Sequence, residues 1–305
     1  MNFFEIDYLN ATHYKIFSAK DRLVLSIGEA ILSKIFLRTN MIKMSVLLFL
    51  IHFLLFCPLW FYGQQNNFIL TAHRGGAAHA PENSLAAINH ALKSNVQRIE
   101  VDVRMTKDSV LILMHDKRIN RTTNGKGKVK NLTYDEIQKY SLKTRTDTLI
   151  ENVPTLSEAF EKINKQKELL IEIKKQRSNR SGIEAQIVRF ISENNAYAYC
   201  KILTFCDKVL YKCHAIDTNL RLSKLFVYKP CLLPLIIDTK IRFKNLKNYY
   251  FVEDFSVNKH FATRCLIRKI HKQGKQVHVW TTYTTRKIQK LMKRGVDGII
   301  TDVVL

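Results

Sequence analysis

Proline and glycine are scarce, at 5 and 10 of 305 residues, which excludes a collagenous or low-complexity chain. Carboxylates are also few. Asp and Glu number 26 against 49 Lys and Arg, for a formal net charge of +23. Such a balance favours anionic partners, whether acidic lipid or phosphate-bearing substrates. The cations are scattered, with no block of like charge and no module of interleaved aromatic and basic residues, so nucleic acid is not expected as a partner. None of the six cysteines forms a CxxC pair, which excludes zinc ribbons and dithiol redox motifs. If Cys57 leaves with a signal peptide the remaining number is odd, so a complete disulfide framework is not expected and buried free thiols are.

One long apolar run is present. Ser45 to Tyr62 is interrupted only by His52 and Pro58; Lys43 precedes it and Gln64-Gln65-Asn66-Asn67 follows. A basic start, an apolar middle and a polar exit describe a signal peptide or a single membrane anchor, and length does not separate the two. Residues 1–40 form a mixed, partly basic stretch, read either as a cytoplasmic tail or as an upstream start, with Met41 or Met44 the more natural beginning. The expected organisation is an extension over 1–40, a targeting or anchoring segment over 41–65, and one domain over 66–305. The protein is accordingly expected to be exported (periplasmic or extracellular) or anchored through residues 45–62.

From residue 68 onward, β-rich runs alternate with helical stretches, which signals parallel βα units. Strands are expected near 68–73, 98–103, 169–174, 201–205, 221–227, 249–253, 276–281 and 298–301. Helices are expected near 83–94, 155–166, 181–195, 207–214, 257–273 and 284–294. Eight parallel strands in a domain of this size predict an α/β fold, a (β/α)8 TIM barrel. A second strand-like run, Val110–Met114, follows Ile99–Met105 after only four residues. A parallel crossover does not fit so short a link, so the two form a hairpin excursion after the second strand. A turn centred on Lys107 and Asp108 predicts that His115 lies opposite Glu100.

Five clusters fall at strand ends or in the loops after them: His73-Arg74-Gly75-Gly76, Pro81-Glu82-Asn83-Ser84, Glu100-Val101-Asp102, His115-Asp116 and Glu172-Ile173-Lys174. Strand residues two apart share a face, so Glu100 projects with Asp102 and Glu172 with Lys174. Three carboxylates at a barrel mouth make a hard-oxygen site suited to Mg²⁺ or Ca²⁺. His73 and His115 are candidate acid and base. Arg74 and Lys174 can donate to phosphate oxygens, and Trp280 can wall a pocket at the end of its strand.

Taken in order, these clusters together with Arg121-Thr122-Thr123-Asn124-Gly125-Lys126-Gly127, Val153-Pro154-Thr155-Leu156, Val279-Trp280-Thr281 and Gly295-Val296-Asp297-Gly298-Ile299-Ile300-Thr301-Asp302 resemble the glycerophosphodiester phosphodiesterases. The resemblance runs from Ile69 to Asp302. It implies hydrolysis of glycerophosphocholine or glycerophosphoethanolamine to sn-glycerol 3-phosphate and an alcohol. It further implies one divalent cation on Glu100, Asp102 and Glu172, acid/base work by His73 and His115, and phosphate binding by Arg74 and Lys174. Glu82, Asn83, Asp116 and Trp280 would support the site. In the family a glycerol hydroxyl is thought to attack phosphorus and form a cyclic phosphate that water then opens. Ser84 stands where Thr is common, Thr204-Phe205 where Ser-Phe is usual, and Tyr283 where Asn often follows the Trp-Thr pair. A lysophospholipase D-like activity on membrane lysolipids, with association to the membrane, is the second reading. A catalytically silent barrel binding phospholipid or a protein partner is the third. No obligate protein partner is expected.

Overall fold

The computed structural model describes residues 68–144, 150–174, 182–226 and 246–303. The chain divides into units 1–65 and 66–305, and every described residue lies in the second. The apolar run over 45–62, the stretch over 1–40, Cys57 and Cys231 lie outside the described residues. Among the described residues no helix is long and apolar enough to cross a membrane.

Nine strands and their helices follow in chain order: β1 (Ile69–Ala72), α1 (Leu85–Leu92), β2 (Arg98–Met105), β3 (Leu111–Leu113), α2 (Tyr134–Gln138), α3 (Leu156–Ile163), β4 (Glu168–Ile173), α4 (Ile183–Glu193), β5 (Cys200–Thr204), α5 (Asp207–Ile216), β6 (Leu222–Phe226), β7 (Asp254–Asn258), α6 (Arg264–His271), β8 (Gln276–Trp280), α7 (Thr285–Met292) and β9 (Gly298–Thr301). All strands but β3 are parallel and close into an eight-stranded barrel, because β1 pairs with both β2 and β9. This is the expected (β/α)8 barrel.

Alternation along the strands sorts the side chains. Ile99, Val101 and Val103 of β2, Leu169 and Ile171 of β4, and Val277 and Val279 of β8 join one apolar layer with helix residues such as Ile88, Leu156 and Ile187. Leu170, Leu203 and Leu225 form a separate small cluster with Trp280, as the opposite face of the same strands requires. The helices start where capping chemistry permits. Ser84 Oγ accepts from Ala87 N at 3.0 Å, and Thr133 and Thr155 each close a capping box with Glu136 and Glu158.

Below the leucine cluster the barrel holds charge. Lys201 is fully buried and pairs with Asp254 at 2.6 Å and Glu253 at 2.7 Å. His278, also buried, accepts at Nε2 from Arg98 Nη1 at 3.2 Å. Its neighbour across the β8–β9 pair is Gly298. A Cβ built on Gly298 would lie 2.5 Å from His278 Nδ1 and 2.5 Å from the Ile69 carbonyl oxygen. The second contact is backbone and cannot yield. Gly298→Ala is therefore expected to cost about 1–3 kcal/mol through overpacking, read as a lower urea midpoint. An unchanged midpoint would contradict this account of the glycine.

Three expectations need correction. The sixth barrel strand lies at Asp254–Asn258 rather than 249–253. Tyr249-Tyr250-Phe251 looks strand-like, but Tyr249 ends a 3-10 turn and Phe251 stacks on His214 at 4.3 Å. Asp254 and Ser256 are polar yet buried in the strand, which hides it from hydrophobic patterning. The helix expected over 257–273 starts only at Arg264, where Thr263 accepts from Leu266 N. The hairpin is shifted by one residue: Met105 pairs with Leu111 and Val103 with Leu113, so the register does not set His115 opposite Glu100. The reason is the turn, in which Thr106 Oγ1 accepts from Val110 N and Ser109 takes a left-handed φ of 68°, lengthening the loop.

Candidate active site

Short, strained pieces of backbone deliver the site residues at the carboxyl ends of the strands. After β1 the chain makes a single 3-10 turn, His73–Gly75, in which Arg74 has φ 51° and Gly75 φ 79°. A Cβ on Gly75 would press on Ala87 Cβ at 3.1 Å and Ile88 N at 3.2 Å, so glycine lets α1 approach the turn. The left-handed Arg74 aims its N–H at Glu100, donating to Oε2 at 2.8 Å. Asn83, also left-handed at φ 59°, locks β2 to the α1 entry: its Nδ2 donates to Asp102 Oδ2 at 2.8 Å and its Oδ1 accepts from Asp102 N at 2.9 Å.

Glu100, Asp102 and Glu172 are all buried, and one ligand atom from each lies within 4.8 Å of the others. Lys174 reaches over them, pairing with Asp102 Oδ1 at 2.7 Å and with Glu172. Arg74 Nε lies 3.4 Å from Asp102 Oδ2. Three carboxylates thus face two cations, and the excess of negative charge is buried. Burial and the Asp102 charge push Glu100 up to about 7, and burial pushes Glu172 up to about 8 despite Lys174. Against the same burial, Lys174, His115 and Arg74 hold Asp102 at about 2. Glu100 Oε1 is buried with no hydrogen-bond partner. A buried anionic oxygen without a donor is costly, and three hard-oxygen donors with one idle oxygen fit a small divalent cation.

The two histidines have different supports. His73 Nδ1 meets Asp302, which leaves Nε2 on the side of Glu100, 4.0 Å from Oε2. Burial lowers the His73 pKa, but Asp302 and Glu100 outweigh it and raise the value. His115 Nδ1 bonds Asp116 at 2.8 Å. Asp116 is itself neutralised by Arg121 at 2.7 Å, so it holds a proton on His115 weakly. Burial and Lys174 lower the His115 pKa. Although the hairpin register differs from expectation, His115 still joins His73, Arg74, Glu100, Glu172, Lys174 and Trp280 around one cavity of about 110 Å³.

Glu82 engages two arginines rather than His73 or the three carboxylates. It accepts from Arg74 at 2.9 Å and from both terminal nitrogens of Arg121 at 2.7 Å, so it steadies Arg74. Trp280 donates to the Ser256 carbonyl oxygen at 3.3 Å and meets Phe205 edge-to-face at 5.5 Å. Asp302, Arg121 and Arg104 carry supports that residue patterning did not assign. Arg104 donates to the His115 carbonyl oxygen at 3.0 and 2.6 Å. The position of Asp302 at the end of the last strand was the available signal.

A family model described as "Glycerophosphoryl diester phosphodiesterase family" matches residues 73–305. A glycerophosphodiester phosphodiesterase from Caldanaerobacter subterraneus is 32% identical over 239 residues, covering 77% of this chain and 93% of its own. The crystal structure of glycerophosphodiester phosphodiesterase from Agrobacterium tumefaciens superposes with a TM-score of 0.64 at 22% identity, covering 77% of this chain and 97% of that one. A phosphodiesterase from Oleispira antarctica, solved in complex with the product sn-glycerol-3-phosphate, gives a TM-score of 0.63 at 21% identity, covering 77% and 92%.

Proposed function

Because the chain belongs to the glycerophosphoryl diester phosphodiesterase family of phosphoric diester hydrolases, we propose that it hydrolyses small glycerophosphodiesters such as glycerophosphocholine and glycerophosphoethanolamine to sn-glycerol 3-phosphate and an alcohol. The observation that carries this reading is the juxtaposition of three buried carboxylates with two histidines whose pKa values are pushed in opposite directions. Environments that separate a pair of titratable groups assign acid and base.

Glu100, Asp102 and Glu172 would hold one divalent cation, Mg²⁺ or Ca²⁺, which would supply positive charge to offset the negative charge on the phosphoryl oxygens and to lower the pKa of the attacking hydroxyl. Arg74 and Lys174 present N–H groups to the phosphoryl oxygens. His115, held neutral, takes the proton of the attacking glycerol hydroxyl at its free Nε2. His73, held protonated by Asp302, gives its Nε2 proton to the departing alkoxide oxygen. The cyclic phosphodiester so formed is opened by water with the two roles reversed, which returns both histidines to their starting states. Trp280, Leu203 and Leu225 wall the cavity on its apolar side. A second cavity of about 440 Å³ has Glu82 and Arg121 in its wall and offers room for the alcohol portion.

The apolar wall and the exposed Phe205 favour a second reading, in which a lysolipid is the substrate. Export or anchoring through residues 45–62 remains the proposed location. The full chain, incubated separately with glycerophosphocholine, glycerophosphoethanolamine and lysophosphatidylcholine, separates these readings. The expected result is glycerol 3-phosphate from the first two. Choline release from lysophosphatidylcholine alone would favour the second reading, and no product from any of the three would overturn both.

A further inference from the structure

We propose that the outer face built by α6, α7 and the loop after β7 docks onto an anionic phospholipid bilayer beside the barrel mouth.

The mark of this face is missing carboxylate rather than a run of cations. From Phe255 to Val296 there are eleven Lys or Arg and no Asp or Glu. The topology puts this whole stretch on one side of the barrel, as β7, α6, β8 and α7 in succession. Elsewhere among the described residues several arginines and lysines meet a carboxylate: Arg74 and Arg121 with Glu82, Arg221 with Glu253, Lys212 with Glu184. Within the stretch, Lys269 aside, the carboxylate partners among the described residues are Asp297 for His271 and Asp254 for the interior His278. A groove of about 220 Å³ runs between the loop after β7 and α7. Lys259, His260, Lys287, Lys290 and Arg294 line it, with no carboxylate among the described lining residues. Five cationic or protonatable side chains around one groove favour an anionic phosphate group.

The position of the groove identifies the occupant. Lys259 N donates to the Trp280 carbonyl oxygen at 2.9 Å, and Lys259 Nζ lies 5.4 Å from the Tyr283 ring centroid. Tyr283 is 52% exposed and Phe205 37% exposed, so exposed aromatics rim the mouth next to the cations. Aromatic rings flanked by Lys and Arg are the composition of a membrane interface. A nucleic acid fits less well, because neither α6 nor α7 carries Phe, Tyr or Trp, so no row of rings follows the helix cations for successive bases to stack on.

The inference does not depend on the proposed reaction, and its test reads lipid contact. The full chain is reconstituted in phosphatidylcholine bilayers and in bilayers with about 30% phosphatidylglycerol. Its lysines are then acetylated and mapped by mass spectrometry. The apolar segment is present in both preparations and cancels. Lys259, Lys287 and Lys290 are expected to label about threefold less on the anionic bilayer, while the exposed Lys117, Lys126 and Lys128 of the excursion label equally. In the variant Lys287→Glu/Lys290→Glu the protection of Lys259 is expected to vanish, with hydrolysis of soluble glycerophosphocholine unchanged, since neither residue lines the catalytic cavity. Equal labelling on both bilayers, or a uniform fall that includes Lys117, would overturn the proposal. So would single-stranded RNA that protects the same lysines more strongly than phosphatidylglycerol.

Discussion

Replacing His73 with alanine is expected to lower kcat on glycerophosphocholine by about 10²–10⁴-fold, the usual contribution of a positioned acid or base. The geometry supports a specific form of that loss. Asp302 engages Nδ1, which leaves Nε2 as the nitrogen available to the cavity. Asp302 and Glu100 raise the pKa of that imidazole despite its burial. If His73 delivers the proton to the leaving alkoxide, a glycerophosphodiester with a p-nitrophenolate leaving group needs no such proton. That substrate should restore much of the first-turnover rate of p-nitrophenolate release in His73→Ala but not in His115→Ala, whose missing function is proton removal from the nucleophile. Loss on both substrates to the same extent would contradict the assignment of roles. The double variant is expected to fall little further than either single one, because the two act as a unit.

The second large effect is on stability. Lys201→Met is expected to destabilise the fold by about 3–5 kcal/mol, the cost of leaving a buried charge without its partner. Asp254 is 2% exposed, and its carboxylate bonds Lys201 Nζ at 2.6 Å and Ser223 Oγ. Against burial, Lys201 and His278 hold it well below the usual carboxylate range. Met fills a similar volume, so the change removes charge more than packing. Adding Asp254→Leu to Lys201→Met should recover a large part of the loss, since an apolar pair of similar size is often as stable as a buried ion pair. Urea unfolding of the wild type, the single and the double variant gives the three values. A double variant less stable than Lys201→Met would contradict the account.

The barrel and most of its site could be read from the chain because the informative residues are local. Glu100 and Asp102 are two apart on one strand, as are Glu172 and Lys174 at the end of another, and the period of a strand places each pair on one face. His73 and His115 sit within a residue or two of strand ends. What patterning missed depends on closure or on buried polarity. Asp302 meets His73 across 229 residues, and only the β1–β9 pairing brings them together. Arg121 reaches Glu82 across 39 residues. Asp254 and Ser256 occupy a strand whose inner face is polar, so alternation pointed to the aromatic run before it. The one-residue shift of the hairpin came from hydrogen bonds of Thr106 and a left-handed Ser109, neither of which a count of turn residues contains. The basic face of α6 and α7 escaped notice because its cations are spaced along helices, and what distinguishes it is the acid it lacks.

The central claim is that the buried carboxylates work with a divalent cation in phosphodiester hydrolysis. The most direct measurement is release of glycerol 3-phosphate from glycerophosphocholine by the full chain, stripped with EDTA and then supplied with Mg²⁺ or Ca²⁺, beside Glu100→Ala treated identically. The account predicts that EDTA abolishes turnover, that at least one of the two cations restores it in the wild type, and that neither restores it in Glu100→Ala. Full turnover in EDTA, or equal restoration of the variant, would contradict it.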